Sequence, residues 1–204
     1  MRRHRGGYDY WLEAGDPSLP VLVLLHGTGD DARSFMALGR TLLPEATRVS
    51  VQGNVDEHGM ARFFRRAAMG VYDMADLEAR TDAFAAFLGE LARTHALDPA
   101  RIVGLGYSNG ANLLANLAFR HPSAMRRMML LHPLIPFEPP ASDLATLDVL
   151  VTAGRTDPIC PWPLTERLVR VLEMRGAAVT LVDHPGGHEL VPAELDATRA
   201  FVAG

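Results

Sequence analysis

The segment with the clearest chemical content is RIVGLGYSNGANLL, residues 101–114, which contains the pattern G-x-S-x-G. Ser108 stands between Gly106 and Gly110, with an apolar strand-like run before it and a helical stretch after it. A serine on a sharp strand-to-helix turn needs small residues two positions away on each side, because larger side chains would collide there. The pattern therefore predicts Ser108 as a nucleophile. The alternative is a glycine-rich turn in which Ser108 only caps the following helix.

A serine hydroxyl is a weak nucleophile at neutral pH, so it needs a base, and the base needs an orienting acid. On sheets with this kind of serine turn, the acid and then the histidine follow the serine, each just beyond a strand. GRTDPICP places Asp157 in a turn after one strand-like run, and GGHEL places His188 in a loop after another. We therefore predict Asp157 as the acid and His188 as the base. Less favoured candidates are Asp143, Asp148 and Asp183 for the acid and His184 for the base.

A further glycine-containing loop, HGTGDD at 26–31, follows the apolar run VLVLL. Acyl transfer needs two backbone N–H groups that point at the developing oxyanion. We predict that these come from Thr28, between two glycines of this loop, and from Asn109, directly after the nucleophile. His26 is expected to brace the loop by hydrogen bonding. The loop is also compatible with a plain glycine turn whose acidic residues cap the next helix.

The composition excludes several classes of function. The 204 residues are 48% hydrophobic and 22% charged, as in ordinary globular proteins, and the net charge of −4 argues against a nucleic-acid partner. All 20 Lys+Arg residues are arginine, which excludes Schiff-base chemistry, lysine-bound pyridoxal phosphate and a P-loop lysine. The single cysteine, Cys160, forms neither an internal disulfide nor a cysteine-based zinc site, and we expect it to be a packed small side chain.

No metal site and no cofactor are predicted, since no two histidines have metal-ligand spacing on a readable helix. The basic N-terminus is not followed by an apolar segment, so no secretory signal is readable. The apolar runs are too short to span a bilayer. We therefore expect a cytoplasmic protein without a membrane span.

Short apolar runs alternate with helical patterns along the chain. Strands are predicted at about 8–13, 21–26, 47–51, 101–106, 127–132, 147–153 and 178–183, and helices at about 31–43, 74–95, 109–120, 163–176 and 192–202. The central runs are continuously apolar, which is typical of parallel strands covered on both faces. We predict one α/β domain over 1–204, with about seven mostly parallel strands and helices on both faces.

The motifs HGTGDD, GYSNGANLL, GRTDPICP and GGHEL resemble those of the α/β-hydrolase fold. More narrowly, they resemble the bacterial phospholipase/carboxylesterase family, which is related to acyl-protein thioesterases and dienelactone hydrolases. The resemblance covers nearly the whole chain. It implies the same site residues, namely Ser108, Asp157 and His188 for catalysis and Thr28 and Asn109 for the oxyanion hole.

Other features refine this resemblance. RFFRR at 62–66, followed by Tyr72-Asp73, is similar to a branch of predicted esterases, some linked to hydroquinone metabolism. Dienelactone hydrolases carry cysteine at the position of Ser108, so their chemistry is not expected. Because few residues precede 21–26, we expect an edge strand of the sheet to be missing.

The segment 53–72 and the loop 133–146 are predicted to form the substrate pocket walls. Apolar surface is expected from Met60, Phe63, Phe64, Tyr72, Leu134, Ile135, Phe137 and Trp162. No insertion is long enough for a large helical lid, which favours small or medium acyl or aryl esters over triglycerides. Arg62, Arg65 and Arg66 are either solvated loop residues or ligands of an anionic substrate group.

Together these features predict a serine carboxylesterase that cleaves small-molecule esters through an acyl-enzyme. An acyl-thioesterase or a lysophospholipase is the nearest alternative, because the acyl chemistry is shared. A non-catalytic receptor for a small ligand on the same fold is a further alternative. A homodimer is compatible with the resemblance, but the sequence indicates no interface.

Overall fold

The computed structural model describes residues 2–203, which form twelve β-strands and five α-helices. The strands are β1 (Arg2–Arg5), β2 (Tyr8–Glu13), β3 (Asp16–Leu25), β4 (Ala46–Val51), β5 (Val55–Glu57), β6 (Met60–Arg62), β7 (Arg66–Ala68), β8 (Val71–Tyr72), β9 (Ile102–Tyr107), β10 (Arg127–Leu131), β11 (Asp148–Gly154) and β12 (Ala178–His184). The helices are α1 (Ala32–Leu42), α2 (Met74–His95), α3 (Asn109–Arg120), α4 (Trp162–Met174) and α5 (Pro192–Ala203).

Eight strands form the main sheet in the order β1-β2-β4-β3-β9-β10-β11-β12. In this sheet order, all neighbouring strands from β4 to β12 are parallel. At one edge, β2 pairs antiparallel with both β4 and β1. The main sheet has eight strands, close to the predicted number of about seven. The expectation that an edge strand is missing is wrong, because β1 occupies that edge. The segment RRHR has no apolar pattern, since a solvent-facing edge strand needs none. It pairs with β2 through Gly6 and Gly7, which both have positive φ.

The α/β class with helices on both faces is confirmed. Side chains alternate along each strand, so that Val21, Val23 and Leu25 of β3 enter one apolar layer while Leu22 and Leu24 enter the other. Helices α2, α3 and α4 cover the first layer, and α1 and α5 cover the second. Both faces are therefore buried, which explains why the central strands read as continuous apolar runs.

This topology brings several loops to one edge of the sheet. Because β3, β9, β10, β11 and β12 are parallel, their carboxyl ends lie side by side, and the residues that follow them meet there. The segment from 132 to 147, between β10 and β11, contains neither helix nor strand, which agrees with the absence of a large lid. Two small hairpins, β5–β6 and β7–β8, lie between β4 and α2. Within residues 2–203, no helix combines the length and apolarity needed to cross a membrane.

Candidate active site

The turn between β9 and α3 holds Ser108 in a strained backbone conformation, with φ of 50° and ψ of −113°. A Cβ on Gly106 would lie 2.6 Å from the Ala111 nitrogen, and one on Gly110 would lie 2.4 Å from the Leu25 oxygen. Real structures do not tolerate such contacts, so both positions require glycine. The strain, of about 1–3 kcal/mol, is held by the surrounding structure. It lifts the serine hydroxyl out of the sheet at the amino end of α3.

A continuous hydrogen-bond chain links the three residues predicted for catalysis. The Ser108 Oγ lies 2.9 Å from His188 Nε2, and His188 Nδ1 lies 2.6 Å from Asp157 Oδ2. His188 is partly exposed, whereas the Asp157 side chain is fully buried. In this geometry Nδ1 donates to the carboxylate, which leaves Nε2 free to accept the serine proton.

Backbone donors fix the Asp157 carboxylate. Its Oδ1 accepts hydrogen bonds from the N–H groups of Ile159 at 2.8 Å and Cys160 at 2.9 Å. Burial by itself would raise the pKa of Asp157, but the Cys160 N–H, the His188 and His132 side chains and the Ile159 N–H together hold that pKa below its ordinary value. The acid is therefore ionised at neutral pH and oriented from both sides.

A second histidine, His132, contacts the same carboxylate from the end of β10. Its Nδ1 lies 2.9 Å from Asp157 Oδ2, and its Nε2 forms an ion pair of 2.9 Å with Glu194 Oε1 of α5. All three side chains are fully buried. Burial alone would lower the pKa of His132, but the two carboxylates that face its ring raise it above the ordinary value. The two carboxylates therefore favour the protonated form of the His132 ring.

Glu194 and Tyr107 complete this region. Burial would raise the pKa of Glu194, but the paired His132 and the Val191 N–H, 2.8 Å from Oε2, lower it. The Tyr107 hydroxyl donates to the His188 carbonyl at 2.6 Å, and its ring packs 5.3 Å from the His188 ring. Burial raises the pKa of Tyr107 to about 12, so it stays a neutral donor. We call His132, Asp157, His188 and Glu194 the acid–base cluster.

Thr28 and Asn109, whose backbone N–H groups are predicted for the oxyanion hole, line the same cavity as Ser108. Neither the Thr28 nor the Asn109 N–H donates to a backbone carbonyl within residues 2–203. A Cβ on Gly27 would lie 2.8 Å from the Tyr107 ring, so the loop needs glycine to approach this closely. The N–H of Gly29 donates to the Ala61 oxygen at 3.0 Å, which ties the loop to β6.

His26 supports the oxyanion loop, as predicted from its position. Its Nε2 accepts the Gly53 N–H at 3.0 Å, and its Nδ1 lies 2.6 Å from the Gly27 oxygen. The proton on this neutral ring therefore sits on Nδ1. Burial lowers the pKa of His26, which keeps the ring uncharged.

A cavity of about 390 Å³ opens above Ser108 and His188. Met60, Tyr72 and Leu134, three of the predicted pocket residues, line it. Arg62 and Arg66 line it as well. Most of its wall opposite the triad comes from the hairpin segment 60–72, as predicted for 53–72, whereas the loop 133–146 contributes Leu134.

The other predicted pocket residues lie elsewhere. Phe63 and Phe64 are fully buried in the core and Ile135 is nearly so, because the chain between the two hairpins turns its aromatic rings inward. Phe137 also packs against the core. Trp162 lies under the Arg155 guanidinium, 4.2 Å from the ring centroid, and not in the cavity. Arg65 points away to Asp76, at 3.1 Å.

Cys160 is buried beside the triad, and its thiol donates to the His132 carbonyl at 3.2 Å. Burial raises the pKa of this thiol, which keeps it protonated. It packs as a small side chain, as predicted.

Three residues of this site were not predicted from the sequence: His132, Glu194 and Tyr107. The signal for His132 was its position directly after a central strand, the position that also favoured Asp157. Glu194 gave no usable signal, since an acidic residue in the first turn of a helix is ordinary. Tyr107 occupies a variable position of the G-x-S-x-G pattern.

Two groups in this region have the residue types and proximity to hold a metal ion: His132–Asp157–His188 and His132–His184–Glu194, with donor atoms within 4.8 Å of one another. The same donor atoms are paired with each other: Asp157 with both His132 and His188, and Glu194 with His132 at 2.9 Å and His184 at 3.4 Å. The contacts of Asp157 with its two histidines are hydrogen bonds, and those of Glu194 with His132 and His184 are ion pairs.

The sheet topology and the serine turn together define an α/β-hydrolase of the esterase class. A family model described as "Esterase PHB depolymerase" matches residues 8–198, and the chain belongs to this family. It is 39% identical over 182 residues to "Putative hydrolase MhqD" of Bacillus subtilis (strain 168), covering 89% of this chain and 91% of that protein.

Solved structures agree with this assignment. A Bacillus cereus carboxylesterase has a TM-score of 0.92 and 39% identity, covering 96% of this chain and 93% of that chain. A carboxylesterase from Mesorhizobium loti has a TM-score of 0.90 and 34% identity, covering 97% and 95%. The resemblance to the α/β-hydrolase esterases is thereby confirmed, and the relatives support an ester hydrolase.

Proposed function

We propose that the protein is a serine carboxylesterase that cleaves small or medium acyl or aryl esters through an acyl-enzyme. The observation that carries this proposal is the unbroken hydrogen-bond chain from Ser108 through His188 to Asp157 at the base of the cavity. The N–H groups of Thr28 and Asn109 support it, since both residues line the cavity with Ser108 and neither N–H donates to a backbone carbonyl within residues 2–203.

Acylation begins when Ser108 Oγ attacks the ester carbonyl carbon while His188 Nε2 takes the hydroxyl proton. The carbonyl electron pair moves to the oxygen, which accepts hydrogen bonds from the Thr28 and Asn109 N–H groups. Asp157 stabilises the imidazolium that forms. Collapse of the tetrahedral intermediate breaks the bond to the leaving alcohol oxygen, which takes the proton from His188. The acyl group stays on Ser108.

Deacylation repeats these steps with water. His188 takes a proton from the water, whose oxygen adds to the acyl carbon, and the same N–H groups hold the oxyanion. Collapse breaks the bond to Ser108 Oγ and returns the proton from His188 to it. A carboxylic acid leaves, and the enzyme is regenerated.

The cavity supports a limit on substrate size. About 390 Å³ is at the lower end of the range for small-molecule sites. The wall is formed by short hairpins rather than a helical lid, so soluble esters are expected to be preferred over emulsified triglycerides. Comparable rates on emulsified long-chain triglyceride would contradict this limit.

The test is a set of initial rates on 4-nitrophenyl esters from acetate to palmitate. We expect the rates to peak at short or medium chains and to fall by at least about a thousandfold in Ser108→Ala. Ser123→Ala, which changes an exposed serine, is the matched control and should leave the rates unchanged. No turnover of any ester by folded protein would favour a ligand receptor instead.

The alternative substrates give distinct results in the same assay. A peak at long chains would favour lysophospholipase activity, and faster cleavage of a sulfur ester than of its matched oxygen ester would favour an acyl-thioesterase. A homodimer, a cytoplasmic location and a single domain stay predictions.

A further inference from the structure

The charges that line the cavity are unbalanced. Arg62 and Arg66 both line it, and within residues 2–203 no carboxylate does. Glu57 is the acidic partner of both: its Oε2 lies 3.3 Å from Arg62 Nε and its Oε1 lies 2.9 Å from Arg66 Nε. Two guanidinium groups thus share one carboxylate, which leaves the trio with a net positive charge. We call Arg62 and Arg66 the arginine pair.

Arg62 is buried, with 3% of its surface exposed, yet it retains donors without protein partners. Its Nε donates to the Phe64 oxygen at 3.1 Å, and one N–H of its Nη1 donates to Thr28 Oγ1 at 2.7 Å. The other three of its five N–H groups have no acceptor within the described chain. Burial and the neighbouring Arg66 lower the pKa of Arg62, so its charge is under-compensated.

Arg66 leaves donors free as well. Its Nε donates to Glu57, and its Nη1 contacts the sulfur of Met69 at 3.2 Å, which is a weak acceptor. Its Nη2 has no acceptor among residues 2–203. The side chain is 17% exposed, so it is held in place on the cavity wall rather than free in solvent.

A structural role explains only part of this arrangement. Bracing Thr28 and the Phe64 carbonyl needs one guanidinium, and a second beside it adds like-charge repulsion in a poorly solvated place. An anion in the cavity would remove this imbalance. A planar carboxylate suits it best, because guanidinium forks bind carboxylates with two parallel hydrogen bonds.

We propose that the arginine pair binds a carboxylate on the ester substrate, so that the preferred substrates are monoesters that carry a free carboxylate. This inference rests on the proposed esterase function. The Arg62 hydrogen bond to Thr28 joins the carboxylate site directly to the oxyanion loop. Binding of the carboxylate would therefore also hold that loop in position.

The test compares 4-nitrophenyl monoesters of adipate, pimelate and suberate with their methyl-capped counterparts, which have the same length but no charge. We expect kcat/KM to favour the free carboxylate by roughly ten- to a hundredfold, the size of a charge-assisted hydrogen bond. In Arg66→Gln the preference should fall to about threefold or less. Arg65→Gln changes a neighbouring arginine that pairs with Asp76, and it should keep the full preference.

Failure of the inference and failure of the esterase function give different results. Equal rates on charged and capped esters, with both cleaved, would overturn the carboxylate site and leave the esterase function standing. A preference that persists in Arg66→Gln and also in Arg62→Gln would equally overturn it. No cleavage of any ester would instead contradict the proposed function.

A binding measurement does not depend on turnover. Calorimetric titration of the Ser108→Ala protein with monomethyl adipate should give a dissociation constant at least about tenfold lower than with dimethyl adipate. Raising the salt concentration should weaken this difference. Equal affinity for the two esters would contradict the site. Competition by inorganic phosphate as strong as that by monomethyl adipate would overturn its assignment to carboxylates.

Discussion

The acid–base cluster and the arginine pair differ in how far their polar groups have partners within the protein. In the acid–base cluster, both ring nitrogens of His132 face carboxylate oxygens, and Asp157 accepts four hydrogen bonds. In the arginine pair, two cations share Glu57, and several of their N–H groups have no protein acceptor among residues 2–203. Buried groups in contact with protein partners are held in a fixed geometry, whereas donors without a protein acceptor on a cavity wall are available to a ligand. The difference indicates that the proposed reaction chemistry and the proposed substrate selection depend on separate parts of the fold.

The acid–base cluster and the arginine pair also lie on different kinds of secondary-structure element. The acid–base cluster lies just after β10, β11 and β12, the last three strands of the main sheet, and on α5. The arginine pair lies on two-stranded hairpins outside that sheet. Substitutions in the hairpins can therefore alter the cavity wall without changing a residue of the acid–base cluster.

The largest effect is expected from Asp157→Asn, which tests whether the acid–base cluster acts as one unit. An amide has a single acceptor oxygen, so it cannot accept from both histidines and from the Ile159 and Cys160 N–H groups as the carboxylate does, and kcat on neutral esters should fall about 10³- to 10⁴-fold. Asp183→Asn is the control, since Asp183 pairs with Arg155 at the surface and should leave kcat unchanged. A loss below tenfold for Asp157→Asn would contradict its role as the triad acid.

The next effect is on stability, in His132→Asn, which leaves two buried carboxylates facing a neutral residue. The loss of unfolding free energy should be about 3–5 kcal/mol near pH 6. Because the folded-state pKa of His132 is raised, its contribution is present below pH 6.5 and is lost as the pH rises through the raised pKa. Because the pKa values of Asp157 and Glu194 are lowered, the contributions of these two carboxylates to folding stability persist down to acidic pH.

Urea unfolding at pH 5.5 and pH 9.5 measures this difference between the natural protein and His132→Asn. We expect the difference to be larger at the lower pH. His121→Asn removes a surface histidine paired with Asp82 at 2.7 Å and should cost less than about 1 kcal/mol. A difference that grows toward alkaline pH would show that His132 is not the charged partner.

A smaller effect is expected in Tyr107→Phe, which keeps the ring against His188 and removes only the hydroxyl. The lost hydrogen bond to the His188 carbonyl should lower kcat/KM by about three- to tenfold, since the loop is held less firmly. Tyr10→Phe removes a comparable hydrogen bond, to His95, far from the cavity and should leave kcat/KM unchanged. Equal rates for Tyr107→Phe and the natural protein would show that packing alone positions the loop.

The smallest effect is expected in Arg65→Ala, on the side of the arginine pair. The Arg65 side chain is 63% exposed, and the Asp76 carboxylate keeps the Arg65 backbone N–H at 2.7 Å after the change. Stability should fall by less than about 1 kcal/mol, and the preference for carboxylate-bearing esters should stay the same. A selective rise in KM for those esters would place Arg65 in the binding site and weaken the distinction drawn here.

Local steric rules made much of the fold and the serine turn predictable from the sequence. The strand runs, the α3 boundaries and the need for glycine at Gly106 depend on contacts within a few residues, and the structure agrees with them. The order of Asp157 and His188 after Ser108 followed from strand positions in a parallel sheet. β1 was missed because its segment RRHR carries no apolar signature, and the hairpins because they are too short to show one.

The sequence by itself determined which residue types meet at the carboxyl edge of the sheet, because parallel strands bring their ends together. Only the tertiary structure decided how those residues share charges. His132 meets Glu194 because α5 packs against β11 and β12, and no local pattern encodes that contact. It also decided that Arg62 and Arg66 line the cavity while Phe63 and Phe64 turn into the core. The side to which a short irregular segment turns depends on what packs beneath it, and its own sequence does not specify that surface.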